Sequence, residues 1–168
     1  MHKLYDFMEA RERLGTVIVK TKLIHSPVFS EESGNEVYLK PENLQKTGSF
    51  KIRGAYNKIA KLSDEEKKKG VIASSAGNHA QGVAYAAKKL GIKAVIVMPQ
   101  HTPLIKVEAT RRYGAEVVLH GEVYDDAYKK ALELQKENGY IFVHPFNDEE
   151  VLEGQGTIAL EILDELPN

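Results

Sequence analysis

The sequence has 168 residues, of which 42% are hydrophobic, 28% are charged and 8% are aromatic, and these proportions exclude a disordered tail, a collagen-like fibre and a low-complexity linker. Twenty-three Lys and Arg residues against 24 Asp and Glu residues leave a net charge of -1, which argues against a general affinity for nucleic acid or anionic membranes. The chain has no cysteine, which excludes disulfides, zinc knuckles and thiol nucleophiles, and it has no apolar run approaching the roughly 18 residues of a membrane-spanning helix.

The predicted elements alternate between helix and strand along most of the chain. The spacing predicts a small amphipathic helix over residues 5–14, followed by irregular, extended chain over residues 16–27. Five short apolar runs rich in β-branched residues then predict strands over residues 37–39, 71–73, 94–97, 116–119 and 140–143. Their hydrophobicity is nearly continuous rather than alternating, which is typical of strands that are covered on both faces.

Helical spacing separates these strands and also follows the last one. Residues 78–90 and 123–138 each place small or apolar side chains on one face. The repeated order of strand, crossover helix and parallel strand predicts an α/β fold, a three-layer sandwich with an open, mostly parallel twisted sheet. A long helix is predicted over residues 150–166. Gly154 and Gly156 inside it each cost about 1 kcal/mol relative to Ala, and such glycines usually mark close approach by another backbone or a ligand.

The segment 40–55 carries a lysine whose place in the predicted fold is unusual. The segment leaves a predicted strand, turns through polar residues and enters a helix at about Ser49. Lys51 therefore stands in the first helical turn, where a positive charge opposes the helix dipole. A lone lysine is most often a solvated surface residue. Between Phe50 and Ile52 at a helix start, however, the position favours a lowered pKa, which an amine nucleophile needs.

A second polar segment, residues 73–82, joins the carboxyl end of a predicted strand to the amino end of a predicted helix. In open parallel sheets, ligands bind outside the carboxyl ends of the strands. Backbone N–H groups at a helix start, beside the side chains of Ser75 and Asn78, form a cradle for a carboxylate or a phosphate. The same side chains also serve as helix caps worth about 1 kcal/mol, so this segment alone leaves both interpretations open.

Together, the two segments resemble the fold-type II pyridoxal-phosphate enzymes, and within them the serine/threonine dehydratase branch that includes threonine deaminase and serine racemase. The matching stretches are KPENLQKTGSFKIRGA (40–55), SSAGNHAQGVA (74–84), KVEATRRYGAEVV (106–118) and EGQGTIALEIL (153–163). The cysteine synthases have a different lysine motif and a Thr-Ser-Gly-Asn loop, so they do not fit. The resemblance implies a lyase that uses pyridoxal 5'-phosphate to eliminate the β-hydroxyl of L-threonine or L-serine, giving a 2-keto acid and ammonia.

The resemblance also implies the roles of individual residues. Lys51 would be the catalytic residue, forming the Schiff base (the internal aldimine) with the cofactor and taking the substrate α-proton. Phe50 would lie against the pyridine ring, and Asn78 would hydrogen-bond the 3-hydroxyl oxygen of that ring. The implied substrate-binding residues are Ser75, Ala76, Gly77, His79 and Gln155. For Gln155, contact with the active-site cleft and tight helix packing are equally open.

One departure from the family pattern bears on the reaction. Serine racemases usually carry a second serine immediately before the Gly-Asn-His triplet, where it acts as a base on the opposite face of the substrate. Here that position is Ala76, whose side chain has no proton to exchange. We therefore predict β-elimination with little racemisation, and serine racemase is the alternative enzyme.

A larger departure is that part of the family pattern lies outside this sequence. The family places a glycine-rich phosphate loop, and a Ser or Cys facing the pyridine nitrogen, well beyond its Gly-Gln-Gly-Thr motif, and this sequence has no run of three or four glycines. We expect an amino-terminal half, in which residues 1–40 are a flanking segment that belongs to the larger domain, residues 41–149 form the small α/β domain, and residues 150–168 form a helix that returns to the larger domain. Alone, such a chain is expected to be inactive and to bind the cofactor weakly or only through nonspecific imine formation. A non-catalytic α/β unit is the alternative.

The remaining features are interpreted without chemistry. The six histidines show no metal-ligand spacing, so no metal site is predicted. Phe146 is assigned to core packing in preference to the lining of the substrate pocket. Apolar residues of the two flanks are predicted to be exposed or to contact another chain, either a second copy or the missing half, and these are Leu4, Met8, Ile158, Ile162 and Leu166. We predict a cytoplasmic protein that acts on a small amino acid, without nucleic-acid or membrane partners.

Overall fold

The computed structural model describes residues 3–166. Met1, His2, Pro167 and Asn168, the outer ends of the two predicted flanks, lie outside the described residues. The helices are α1 (Leu4–Leu14), α2 (Pro27–Ser33), α3 (Lys51–Ala60), α4 (Asp64–Lys69), α5 (Asn78–Leu90), α6 (Leu104–Arg112), α7 (Tyr124–Asn138) and α8 (Glu149–Glu165). The strands are β1 (Ile24–His25), β2 (Tyr38–Leu39), β3 (Val71–Ser74), β4 (Ala94–Met98), β5 (Glu116–Leu119) and β6 (Ile141–Phe142).

The centre of the fold is a parallel sheet in the order β5-β4-β3-β6. The chain adds β4 and β5 on one side of β3 and then, after α7, places β6 on the other side. The register pairs Val71 of β3 with both Ala94 of β4 and Ile141 of β6. Because all of these strands are parallel, the loops that follow β3 and β6 leave the sheet side by side at the same edge.

Helices cover the sheet on both faces, which confirms the predicted three-layer α/β sandwich. Val71 and Ala73 of β3 belong to a core with residues of α3, α5, α6 and α8. The intervening Ile72 belongs to a second core with Ala127 and Ala131 of α7. Successive strand residues point to opposite faces of a sheet, so the continuous apolar runs at β3 and β4 fill two cores at once.

The predicted apolar face of the helix over residues 78–90 is also confirmed. Helix α5 has the predicted bounds, and Ala80, Val83, Ala84 and Ala87 on its predicted face are all buried. The helix ends at Gly91, which adopts the left-handed conformation (φ 68°) that a residue with a side chain rarely takes. Small and apolar spacing alone was therefore sufficient to identify this helix and its packing face.

The prediction for residues 16–39 was partly wrong. Tyr38–Leu39 does not join the covered sheet but pairs antiparallel with Ile24–His25 in a separate, exposed two-stranded ribbon. Between these strands lies the short helix Pro27–Ser33, which the sequence analysis missed; Pro27 occupies its first turn and Ser26 Oγ accepts a hydrogen bond from Phe29 N. Three apolar residues were too few to distinguish a covered strand from an exposed one.

The flanking helices pack on each other rather than standing free. Leu4 and Met8 of α1 are exposed as expected, but Ile158 and Ile162 of α8 are half-buried, because α8 packs against both α1 and α3. The predicted division of the chain between two domains remains a prediction. Among residues 3–166, no helix is both long enough and apolar enough to cross a membrane.

Candidate active site

The strand order reverses at β3, and the loops that follow β3 and β6 frame one end of the sheet at that point. In open α/β sheets, ligands bind in the crevice outside the carboxyl ends of the strands where the order reverses. The loop after β3 is the predicted segment that contains residues 75–79, and the loop after β6 contains residues 143–147. Lys51 enters the same region from α3, which packs closely on α5.

Lys51 is the first residue of α3, as the sequence predicted to within a residue or two. Its side chain is half-buried, and its Nζ donates a hydrogen bond of 2.8 Å to the carbonyl oxygen of Pro145 and lies 5.3 Å from the centre of the Phe50 ring. Burial lowers the pKa of Lys51 because the charged form loses hydration there. The structure thus gives Lys51 the lowered pKa that its sequence context favoured.

The loop after β3 presents backbone N–H groups at the start of α5. Ser75 Oγ accepts a hydrogen bond of 3.2 Å from Gly77 N, and no side chain of the described residues caps α5 at Gly77. The first N–H groups of a helix have no partner within the helix, so they favour an anion at this end. A Cβ at Gly77 would meet no atom within 4 Å, which means that the start of α5 is open to a ligand.

Contacts through both loops bring Lys51 to the start of α5. His79 Nε2 contacts the carbonyl oxygen of Val143 at 2.9 Å, and Lys51 Nζ contacts that of Pro145 two residues later. From the other side, Gly82 of α5 allows close approach of the two helices, since a Cβ on it would lie 3.1 Å from the Lys51 carbonyl oxygen. The amine of Lys51 and the 75–79 loop therefore share one edge of the sheet.

His79 is almost completely buried, and its imidazole is neutral at neutral pH. Burial lowers its pKa to about 4; the hydrogen bond with Val143 opposes this shift, and the positive charge of Lys51 adds to it. A carbonyl oxygen only accepts hydrogen bonds, so Nε2 carries the proton and Nδ1 is left as an acceptor. That Nδ1 is buried without a partner among the described residues.

The predicted site residues Phe50, Asn78 and Ala76 lie at the same edge, whereas Gln155 lies on α8 and packs on α3. Phe50 and Asn78 are exposed, each beside its helix start, and Ala76 is half-buried in the loop after β3. Gln155, on α8, accepts a hydrogen bond of 3.0 Å at its Oε1 from Gly54 N on α3. This contact corresponds to the packing alternative for Gln155, and its binding of substrate remains a prediction.

Sequence reasoning missed the contribution of the segment 143–147. The Pro145 carbonyl oxygen that accepts the hydrogen bond from Lys51 Nζ is a backbone atom, so no pattern of side chains predicts it. Phe146 was assigned to the core, and this is wrong: 64% of the residue is exposed, at the position directly after Pro145. The signal that was available is the polar and proline-containing run that follows the apolar residues of β6.

Unsatisfied polar atoms in this region fit a bound polar group. Ser49 Oγ, Ser74 Oγ and His79 Nδ1 are buried without hydrogen-bond partners among the described residues, and they belong to the two segments that the sequence singled out. Buried polar atoms in proteins are rarely left unpaired, so a ligand or water is expected to complete them. The site's amine, hydroxyls and helix start suit an anionic aldehyde such as pyridoxal phosphate. Across residues 3–166, no group of His, Asp and Glu is placed to hold a metal ion.

Comparison with known proteins places this chain in a family. A family model described as pyridoxal-phosphate dependent enzyme matches residues 14–168. The chain is 59% identical over 168 residues to an L-threonine ammonia-lyase of Thermotoga maritima, covering all of the chain and 42% of that protein. It is 52% identical over 161 residues to the catabolic L-threonine dehydratase TdcB of Escherichia coli K12, covering 96% of the chain and 49% of that protein.

Solved structures agree with this placement. The processed form of threonine deaminase isoform 2 from Solanum lycopersicum is similar, with a TM-score of 0.89 and 43% identity over 96% of the chain and 44% of that protein. Maize serine racemase is similar with a TM-score of 0.95 and 37% identity over 99% of the chain and 50% of that protein. The chain thus spans half or less of the length of these relatives. With its match over residues 14–168, it belongs to the family of pyridoxal-phosphate dependent enzymes.

Proposed function

We propose that this chain supplies the amine and the carboxylate-binding loop of a threonine/serine ammonia-lyase, which converts L-threonine, L-serine or both into a 2-keto acid and ammonia. One observation carries the proposal: the half-buried amine of Lys51 lies at the Pro145 carbonyl, on the sheet edge that also bears the 75–79 loop. The names of the T. maritima and E. coli relatives support threonine as a substrate.

Three residues would hold pyridoxal phosphate. Lys51 Nζ would bond to its aldehyde carbon, Phe50 would contact its ring, and Asn78 would hydrogen-bond its 3-hydroxyl oxygen. When bound, the cofactor withdraws electrons from the substrate Cα, which acidifies the bond from Cα to hydrogen. The remaining task of the protein is to orient the substrate and to move its protons.

The start of α5 would bind the substrate carboxylate. The backbone N–H groups of the 75–79 loop and the helix dipole favour a negative charge there, and Ser75 adds a hydroxyl group. Ala76, Gly77 and His79 would contribute through the same loop. Anchoring the carboxylate fixes the direction of the α-hydrogen and turns it toward Lys51, which is how a bound geometry promotes one reaction over others.

Lys51 Nζ, once displaced from the aldehyde carbon by the substrate amine, would accept the α-proton. Burial lowers its pKa, so a larger fraction of this amine is neutral and able to accept a proton than for a solvated lysine. Once protonated, the ammonium is stabilised by the Pro145 carbonyl, which already accepts its hydrogen bond. The β-hydroxyl of the substrate would leave with a proton as water, and one water molecule would then hydrolyse the released enamine to the 2-keto acid and ammonia.

Serine racemisation is the second candidate, because maize serine racemase shares this fold over 99% of the chain. Racemisation requires a base on the face of Cα that is opposite to Lys51. The residue before the Gly-Asn-His triplet is Ala76, which has no exchangeable proton. This favours elimination over racemisation.

Assembly and location belong to the same proposal. A chain that covers 40% to 49% of its relatives would depend on further sequence, or on a second copy, to complete the cofactor site. The exposed Leu4 and Met8 on α1 support an association of this kind. We further infer that the protein acts in the cytoplasm.

A hybrid enzyme would test the proposed function. This chain replaces the matching 168 residues of the T. maritima L-threonine ammonia-lyase, with which it is 59% identical. The hybrid is expected to form 2-oxobutanoate from L-threonine, and Lys51→Ala is expected to abolish this activity. Lys58→Ala, on the same helix but ion-paired with Asp148 and Glu150, is the control for general damage to α3.

Two results would contradict the proposal. The first is a folded hybrid that binds pyridoxal phosphate but forms neither 2-oxobutanoate from L-threonine nor pyruvate from L-serine. The second is a hybrid that converts L-serine to D-serine faster than to pyruvate, which would show that the interpretation of Ala76 is wrong.

A further inference from the structure

The turn that follows β6 is held by a histidine side chain. His144 Nδ1 accepts hydrogen bonds from the backbone N–H groups of Asn147, at 2.9 Å, and Phe146, at 3.4 Å. A ring nitrogen that accepts from N–H donors carries no proton, so Nδ1 presents its lone pair to the turn. The imidazole thus accepts hydrogen bonds from backbone N–H groups that follow it in the chain, as the side-chain oxygen of Asn or Asp does in an Asx turn.

Aromatic neighbours fix the plane of this imidazole. Phe146 lies perpendicular to it with the ring centres 4.7 Å apart, and Phe142 and Tyr128 lie at 6.2 Å and 6.4 Å. Phe142 lies on β6 and Tyr128 on α7, so the imidazole packs against the sheet and its covering helix while Nδ1 accepts from the turn.

The same turn carries the carbonyl group that receives the Lys51 amine. Pro145 lies inside the turn, and its oxygen is 2.8 Å from Lys51 Nζ. On the other side of His144, the Val143 oxygen is held by His79 Nε2 at 2.9 Å. Two imidazoles thus hold this backbone: His79 binds the Val143 carbonyl oxygen, and His144 Nδ1 accepts from the N–H groups of Phe146 and Asn147, the first of which belongs to the same peptide group as the Pro145 oxygen.

We propose that His144 is a positioning residue for Lys51: its unprotonated Nδ1 holds the 145–147 turn in the conformation that presents the Pro145 carbonyl to the lysine amine. An effect of His144 on turnover rests on the proposed function, but the contacts from His144 through the turn to Lys51 do not depend on it. Among residues 3–166, the hydrogen bonds of His144 Nδ1 are those to the turn, and His144 makes no hydrogen bond with the Lys51 amine. It acts on Lys51 through the backbone.

A purely structural role predicts a different response to substitution. If the ring of His144 matters only by filling space among Phe142, Phe146 and Tyr128, any smaller side chain should perturb Lys51 to a similar degree. If the acceptor matters, a side chain that returns an acceptor at the place of Nδ1 should restore Lys51. Asn places its oxygen near the position of Nδ1 and favours Asx turns, whereas Gln places its amide near the position of Nε2.

The variants His144→Asn and His144→Gln therefore form a matched pair. Both are neutral amides, so the two variants differ in where the amide group lies and not in charge. The measurement is the titration midpoint of Lys51 in the chain without cofactor, followed by the 13Cε resonance of labelled lysine and assigned with Lys51→Arg. Thermal unfolding of each variant verifies that it folds. If the Gln variant does not fold, His144→Phe replaces it, because Phe keeps the ring contacts but lacks the acceptor.

The Gln variant is expected to lower the Lys51 midpoint by about one pH unit, because the carbonyl that stabilises the charged amine is no longer held in place. The Asn variant is expected to lie closer to the unsubstituted chain than to the Gln variant. A midpoint that does not fall in the Gln variant overturns the proposal, and so does an Asn variant that shifts as far as the Gln variant. Since the measurement involves neither cofactor nor turnover, failure of the proposed lyase activity would leave this result unaffected.

Discussion

The close contact between α3 and α8 gives a sharp prediction about Gly154. A Cβ added at Gly154 would lie 2.6 Å from the Arg53 carbonyl oxygen and 2.6 Å from the Gly54 Cα, both backbone atoms of α3. Ordinary contact begins at 3.4 Å, so the helix that carries Lys51 would have to move by about 0.8 Å. That displacement would also stretch the hydrogen bond from Gly54 N to Gln155 Oε1.

The magnitude follows from two opposing effects of Gly154→Ala. Overpacking against atoms that cannot rotate away costs about 3 kcal/mol. Replacing Gly by Ala inside a helix returns about 1 kcal/mol. The free energy of unfolding is therefore expected to fall by about 2 kcal/mol, which lowers Tm by roughly 4–8 °C for a chain of this size.

Thermal and urea unfolding monitored by circular dichroism would measure the change, with Gly156→Ala as the matched control. Gly156 lies in the same helix and gains the same helix propensity, but the three atoms nearest to a Cβ there all belong to the side chain of Phe7 and not to a backbone. Gly154→Ala is expected to be the less stable variant. A Gly154→Ala protein that is as stable as Gly156→Ala would refute the assignment of Gly154 to a backbone-to-backbone contact.

Three further predictions concern pH, buried charge and association. Burial lowers the folded-state pKa of His79 to about 4, against an ordinary value of 6.5. The neutral imidazole therefore contributes about 3 kcal/mol to the free energy of unfolding above pH 6.5, and this contribution is lost as the pH falls toward 4. Urea unfolding at a series of pH values should show the decline, and His79→Gln should remove it. Arg53→Ala removes the buried guanidinium that pairs with both Glu42 and Glu161, and leaves Glu161 with the ion pair to Lys40; it is expected to cost about 3 kcal/mol in urea unfolding. Arg11→Ala, which breaks an exposed ion pair, should cost less than about 1 kcal/mol, and equal losses would contradict this. Sedimentation is expected to show self-association that weakens when the exposed Leu4 and Met8 are replaced by Ser, and a monomer at high concentration would count against it.

The sequence was sufficient to predict the elements whose side chains face two cores. β3, β4 and α5 have strong, periodic apolar patterns, and the structure places them as predicted. Lys51 was identifiable because a lysine at a helix start conflicts with the helix dipole, and such local conflicts are expected at functional sites. The motifs at residues 40–55 and 74–84 then identified the family.

The features that the sequence did not reveal depend on tertiary neighbours or on the backbone. The ribbon of β1 and β2 is so short that its pairing follows from the surrounding chain rather than from its own pattern. Phe146 is apolar, but burial depends on which elements cover a residue, and none of the described elements covers this one. The Pro145 carbonyl leaves no signal in a side-chain pattern at all. The hydrogen-bond partners of Lys51 Nζ and His79 Nε2 are both backbone carbonyls, so both contacts are visible only in the three-dimensional structure.

The most direct test of the whole account is to find which lysine reacts with the cofactor. The chain is mixed with less than one equivalent of pyridoxal phosphate, reduced with borohydride, digested, and analysed by mass spectrometry for pyridoxyl-lysine. Although we expect binding to be weak, the lowered pKa of Lys51 predicts that its peptide is labelled ahead of those from exposed lysines such as Lys88 and Lys89. Label spread evenly over the surface lysines, with no preference for Lys51, would contradict the account.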